Sequence, residues 1–171
     1  MSAAASQNGI PLQARKGRDL QKYEAGHRLV AGCIPIRYVQ RDGGQHVEIL
    51  MITSKSSDLL VLPKGGWEVD ETLEAAAARE TMEEAGVTGD LKGPKRGPFS
   101  FTTKRKSLCK AYLYIMKVNE ELSEWPERHE RKRSWYSIDD AVKLCKWDWM
   151  KDALCTLKEE ELAAKGVELV G

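Results

Sequence analysis

The sequence predicts an α+β sandwich, and the order of its segments carries that expectation. Strand-like segments rich in β-branched and apolar residues come first, and one Ala- and Glu-rich segment of helical period is embedded after them. Further strand segments then precede a closing helical stretch. At 171 residues the chain suits one domain with a substantial core and is too short for two comfortable ones.

Residues 1–17 begin small and polar, without periodicity, and are expected to form a mobile tail ahead of a single domain over 18–171. Arg28 to Tyr38, RLVAGCIPIRY, reads as a strand in which Pro35 points to an edge position or a bulge. After a turn at Asp42-Gly43-Gly44, the run from His46 to Thr53 reads as its antiparallel partner. LLVLP, Leu59 to Pro63, is a short third strand stopped by Pro63 and the Gly65-Gly66 pair. Thr72 to Ala85 reads as helix, with Asp70 or Thr72 able to cap its start and Gly86 placed to end it. Strands are expected again at about Gly97 to Thr103, Leu108 to Val118 and Arg133 to Ser137. Ser137 precedes a helical pattern, IDDAVKLC, and a last helix is expected from Trp147 or Asp148 to about Lys165.

Lys+Arg 27 against Asp+Glu 26 leaves a formal charge of +1, so no global field recruits DNA or an anionic membrane, and any electrostatic function is local. The four cysteines, Cys33, Cys109, Cys145 and Cys155, form no CxxC pair and read as reduced residues of an intracellular protein. The N-terminus lacks the apolar core of a signal peptide, and no segment approaches about 20 apolar residues. A cytoplasmic location, with the nucleus as a second one, is expected. Trp147, Met150, Leu154 and Leu157 at helical spacing read as core packing, so a monomer is expected.

Arg79 to Gly86, RETMEEAG, crowds three glutamates into the last two turns of the embedded helix. Like charges one turn apart repel, and anions near a helix C-terminus face the negative end of its dipole, each effect costing a few tenths to about 1 kcal/mol. At about 100° per residue, Leu73, Ala77, Glu80 and Glu84 share one line. Ala75, Ala78, Met82 and Ala85 form a stripe on the far side, expected to approach a sheet and leave the glutamates facing outward. A solvated acidic face is the ordinary reading of such a helix. A divalent cation is the other, because it would turn the repulsion into a binding site. Mg²⁺ takes carboxylate oxygen and is held by one or two carboxylates together with substrate phosphates. Glu80 and Glu84 suit that role, Glu83 is placed to orient or deprotonate a water, and Arg79 can hold Glu83 by an ion pair.

The wider spacing makes the pattern specific. Gly65, five residues, Glu71, seven residues, then Arg79-Glu80-Thr81-Met82-Glu83-Glu84-Ala85-Gly86-Val87 resembles the Nudix box, G-x5-E-x7-R-E-U-x-E-E-x-G-U with U apolar, over 23 positions. Thr81 is the one departure, where an aliphatic residue is usual, and a packing cost without loss of chemistry is expected there. The resemblance implies a Nudix fold, a mixed sheet between helices with the box as a loop–helix–loop. It also implies Mg²⁺-dependent hydrolysis of pyrophosphates, with Mn²⁺ as the alternative ion. On that likeness Glu80 and Glu84 are metal ligands, Glu83 is the base, and Gly65, Glu71, Arg79 and Gly86 support the motif.

Basic clusters lie outside the box: Arg15, Lys16 and Arg18; His27 and Arg28; Lys104, Arg105 and Lys106; and Arg128, His129, Arg131, Lys132 and Arg133. Each alone is an ordinary solvated patch, while together they fit a rim that binds a small polyanionic phosphate. GRDLQKYEAGHRLVAGCIPIRY, the box, and NEELSEWPERHERKRSWYSIDDAVKL together resemble the diphosphoinositol polyphosphate phosphohydrolases and their plant-like relatives. By position in that branch, Arg18, Arg28, Ser54, Lys55 and Arg131 would contact substrate phosphates, with Lys104 to Lys106 a looser match and Arg133 in the same basic run. Lys64 stands where animal members have a third glycine and would join the rim.

The implied reaction removes the β-phosphate from a diphosphoinositol polyphosphate, with diadenosine polyphosphates or inorganic polyphosphate as further substrates. Two alternatives stay open. A dinucleoside polyphosphate or mRNA-cap hydrolase would need an aromatic clamp; Trp67 reads as a loop residue capping a core, and Trp125, Trp135, Trp147 and Trp149 are too spread out to define one. A non-catalytic inositol-pyrophosphate sensor predicts damage to the glutamate set, yet Glu80, Glu83 and Glu84 are all present.

Overall fold

The computed structural model describes residues 14–15 and 17–166. The tail expected over 1–17 therefore lies outside the described residues except at Ala14, Arg15 and Gly17. Eight strands and three helices follow in the order β1 (Tyr23–Glu24), β2 (His27–Arg41), β3 (Gly44–Thr53), β4 (Leu60–Val61), β5 (Lys64–Gly66), α1 (Leu73–Ala85), β6 (Val87–Thr102), β7 (Leu108–Glu121), β8 (Arg133–Ser137), α2 (Ile138–Leu144) and α3 (Asp148–Ala164). The sheet runs β4-β3-β2-β7-β6, with β1 and β5 also paired to β2 and β8 paired to β3.

The sheet is mixed because β2 and β7 run parallel, from Arg28↔Cys109 to Ile36↔Lys117, while the other pairs are antiparallel. β2 is buried continuously from Leu29 to Ile36, the pattern of a strand covered on both faces. Helix α1 packs on β2, β5 and β6, whereas α2 packs on β3 and β8 and α3 on α2 and β6. Met150, Leu154 and Leu157 of α3 are buried in the core, and Phe101 of β6 stacks on Trp149 at 5.0 Å.

Pro35 departs from expectation, since it pairs with Met116 inside the sheet rather than on an edge. The backbone explains this. Cys33 donates its N–H to the Pro63 carbonyl, so the residue two positions on faces the same side. There, β5 has ended at Gly32↔Lys64 and β3 begins only at Ile36↔Ile49, so the N–H that proline lacks has no partner to lose.

The strand expected from Gly97 starts at Val87 instead. Its Gly- and Pro-rich first half reads as loop, but β6 ends the sheet path, and register shifts at Thr88/Gly89, Lys92/Arg96 and Arg96/Phe99 absorb the irregular residues. β5, a Lys-Gly-Gly run, carries no strand pattern and pairs because Val30 to Gly32 offer it a free edge.

Candidate active site

Of the two possible caps for α1, Thr72 serves, its Oγ1 accepting the Ala75 N–H at 3.1 Å. Gly86 ends the helix at φ 66, a left-handed conformation glycine adopts without strain. The helix is turned differently from the sequence expectation. Of the expected inward stripe Ala75 is exposed, while Met82 and Ala85 are buried and Ala78 packs against the core; Leu73, Ala76, Ala77 and Thr81 are buried too, so the line through Glu80 and Glu84 also points into the protein body. Leu73 and Ala77, both buried, share that line with the glutamates and carry it inward. Thr81 is fully buried, and its hydroxyl donates to the Ala77 carbonyl at 2.8 Å, which satisfies its polar atom.

The three glutamates are therefore 9 % (Glu80), 4 % (Glu83) and 8 % (Glu84) exposed. Burial, then the charge of Glu84, pushes the Glu80 carboxyl up to about 8. Burial pushes Glu84 up to about 7, against the pull of Arg131 and Lys64. Glu83 is raised as well, by burial. A Cβ on Gly65 would fall 2.1 Å from Glu80 Oε2, so any other residue there would displace this carboxylate from β5.

Arg79 organises the motif. It meets Glu71 through two nitrogens at 2.6 and 2.9 Å, donates to the Gly66 carbonyl at 2.9 Å, and reaches Glu80 at 2.8 Å and Glu83 at 3.3 Å. Glu71 also accepts the Glu68 N–H at 3.1 Å, which closes the loop before the helix. The backbone N–H of Arg15 donates to Glu83 Oε1 at 3.2 Å while its guanidinium pairs with Glu68 and Asp70, a tie at the N-terminal edge for which the sequence offered no signal. Glu84 accepts the Lys64 N–H at 3.0 Å and faces Arg131 at 3.3 Å.

Glu84 opens onto a cleft of about 420 Å³ that Ser54, Lys55, Lys64, Lys104 and Arg131 also line. Arg28 is outside the cleft lining, held by Gln21 at 3.0 Å, though it lies close enough to Lys64 to oppose its charge. Arg18, Arg105 and Lys106 are exposed and outside the cleft lining, and Lys16 lies outside the described residues. Arg133 has another place. It donates to the Ala85, Gly86 and Leu122 carbonyls at 3.1, 2.9 and 2.7 Å and stacks on Trp125, capping the C-terminus of α1.

Several cleft residues escaped sequence reasoning. Lys146, between α2 and α3, donates to Ser54 Oγ at 3.4 Å. Trp147, Trp149 and Phe101 line the same cleft, so tryptophans that looked dispersed converge with a phenylalanine 46 residues away from Trp147 in the chain. Glu127 is buried and pairs with Lys55 at 2.8 Å and Arg131 at 3.4 Å. Only the basic run beside Glu127 hinted at it.

Among the described residues no group of three or more His, Cys, Asp or Glu is preassembled around a metal position. Arg79 pairs with Glu80 and Arg131 with Glu84 instead. The donor chemistry nonetheless fits a hard cation: Glu80 and Glu84 offer oxygen, and burial together with their mutual repulsion is what such an ion would relieve.

The NUDIX domain model matches residues 26–157. Nudix hydrolase 16, mitochondrial, from Arabidopsis thaliana is 47% identical over 94% of this chain and 97% of its own length. A human diphosphoinositol polyphosphate phosphohydrolase is 36% identical over 70% of this chain and 63% of its own. Among solved structures, a C. elegans Ap4A hydrolase superposes with a TM-score of 0.59 at 21% identity, covering 78% of this chain and 97% of that one, a likeness of fold. These relatives overturn the expected cytoplasmic or nuclear location, because that Arabidopsis protein and four others at 41% to 43% identity are named mitochondrial. Among the described residues no helix is long and apolar enough to cross a membrane.

Proposed function

The chain belongs to the Nudix family of hydrolases, and from that premise we propose that it hydrolyses the phosphoanhydride of a densely phosphorylated small molecule, a diphosphoinositol polyphosphate. The observation that carries this reading is the cleft, where Glu84 stands among Lys55, Lys64, Lys104, Arg131 and Lys146. A cluster of cations around one carboxylate suits a ligand with several phosphates and one reacting anhydride. A human relative named for this substrate class, 36% identical over 70% of this chain, supports the reading.

Nudix hydrolases generally use divalent metals, and Glu80 and Glu84 would hold Mg²⁺ here. When bound, the ion would supply Lewis acidity toward a phosphoryl oxygen. Glu83 would take a proton from the attacking water. Each of its oxygens accepts one long hydrogen bond, from Arg15 N–H and from Arg79, which fixes the carboxylate and leaves lone pairs free. Burial raises its pKa above the ordinary carboxylate value, which makes it a stronger base. Arg131 and the lysines would neutralise the phosphates that do not react.

A second reading has its own support. Trp147 and the Phe101–Trp149 stack form an aromatic wall beside the cations, with Lys146 over Trp147 at 4.6 Å, so a nucleobase has a surface on which to lie. That arrangement favours dinucleoside polyphosphates over the inositol substrate. The deciding experiment measures kcat/KM with Mg²⁺ for a diphosphoinositol polyphosphate, diadenosine polyphosphate and capped RNA. A tenfold or greater advantage for the inositol substrate is expected, and the reverse order would install the nucleotide reading.

A further inference from the structure

Arg131 makes three contacts that no single role explains. Its Nη2 lies 3.3 Å from Glu84 Oε1, its Nε 3.4 Å from Glu127 Oε1, and its Nη1 donates to the Thr53 carbonyl at 2.9 Å. All three charged side chains are about nine-tenths buried, with side-chain exposures of 10% for Arg131, 11% for Glu84 and 9% for Glu127. The guanidinium is therefore the counterion of a candidate metal ligand, and it lines the same cleft as that ligand. Glu127 is fixed in turn, since its backbone N–H donates to the Glu83 carbonyl at 3.0 Å and its carboxylate also holds Lys55 at 2.8 Å.

Building on the metal role proposed for Glu84, we infer that Arg131 couples cation binding to polyanion binding: it neutralises Glu84 until a divalent cation replaces it, and then offers its freed edge to a substrate phosphate. A cation on Glu84 makes the ion pair redundant and repels the guanidinium. Thr53 and Glu127 hold Nη1 and Nε, so the rigid guanidinium stays in place and its Nη2, released from Glu84, is free to meet a phosphate in the cleft. Cation and polyanion then assist each other's binding by the same factor, as linkage requires. Part of any such assistance comes from direct attraction between the ion and the phosphates, and that part does not depend on Arg131.

The test is calorimetric and needs no turnover. Mg²⁺ alone is titrated into wild type, Arg131→Ala and Glu84→Gln. Inositol hexakisphosphate, which has no phosphoanhydride, is then titrated with and without saturating Mg²⁺. Arg131→Ala should bind Mg²⁺ roughly tenfold more tightly than wild type, because the competing unit charge is gone. The same variant should lose roughly fivefold of the Mg²⁺-dependent gain in hexakisphosphate affinity. Equal or weaker Mg²⁺ binding by Arg131→Ala, or an unchanged gain, overturns the coupling.

Should Arg131→Ala fail to fold, Arg131→Lys decides. It keeps the charge beside Glu84, and so a near-normal Mg²⁺ affinity, but cannot span Thr53 and Glu127 and should lose the coupling; retained coupling overturns the proposal. Wild-type Mg²⁺ affinity in Glu84→Gln would remove the ion from Glu84, and the metal assignment itself would then fail before the coupling.

Discussion

The two halves of α1 obey opposite rules. In the first half Thr72 caps the N-terminus, Glu74 lies in the first turn where the dipole favours it, and Leu73, Ala76 and Ala77 pack in the core. In the second half no basic residue occupies the last turn, and Glu80, Glu83 and Glu84 are buried beside the negative end of the dipole. One helix thus carries a stretch chosen for stability joined to a stretch whose charges oppose it. Local rules broken with this consistency are the pattern expected at functional or strained sites.

The largest expected effect comes from breaking the second half chemically. Glu83→Gln should lower kcat by about 10² or more, the usual worth of a positioned general base, with KM and the melting temperature little changed. Steady-state kinetics with a diphosphoinositol polyphosphate check this, and near-normal kcat would move the base elsewhere. Next is the support that makes the second half tolerable. Arg133→Ala removes three donors to the Ala85, Gly86 and Leu122 carbonyls and the stack on Trp125. A loss of about 2–4 kcal/mol in denaturant unfolding is expected. The first half gives the smallest response. Thr72→Ala should lose about 1 kcal/mol of stability and leave kcat/KM unchanged.

The elements with a clean period were legible before the structure. The helix Thr72 to Ala85 and the closing helix from Asp148 fall where periodicity and caps placed them. What period could not settle was which side of α1 faces in, because Leu73 and Ala77 share their line with Glu80 and Glu84, and hydrophobicity and charge gave opposite answers along it. The cleft was less legible still. Lys146 and Trp147 come from the link between two helices, and Phe101 from an edge strand; the tie of Lys146 N–H to the Leu60 carbonyl and the packing of α3 on β6 bring such distant residues together. Arg133 shows the converse, for a residue in a basic run that resembled a substrate rim is held by backbone carbonyls instead.

The central claim is that buried charge at the end of α1 is kept for function against stability, and Glu80→Gln tests it most directly. The folded-state carboxyl of Glu80 sits at about 8, above its ordinary value of 4.5. The folded protein therefore binds more protons than the unfolded chain across that window, and stability must fall as pH rises through it. Glutamine cannot ionise. Metal-free thermal unfolding at pH 6 and pH 8.5 should show Glu80→Gln melting a few degrees above wild type at the higher pH, with a smaller gap at the lower. Mg²⁺-dependent phosphate release by the same variant should fall to about 1% or less. A variant that melts below wild type at pH 8.5, or that releases phosphate normally, would contradict the account.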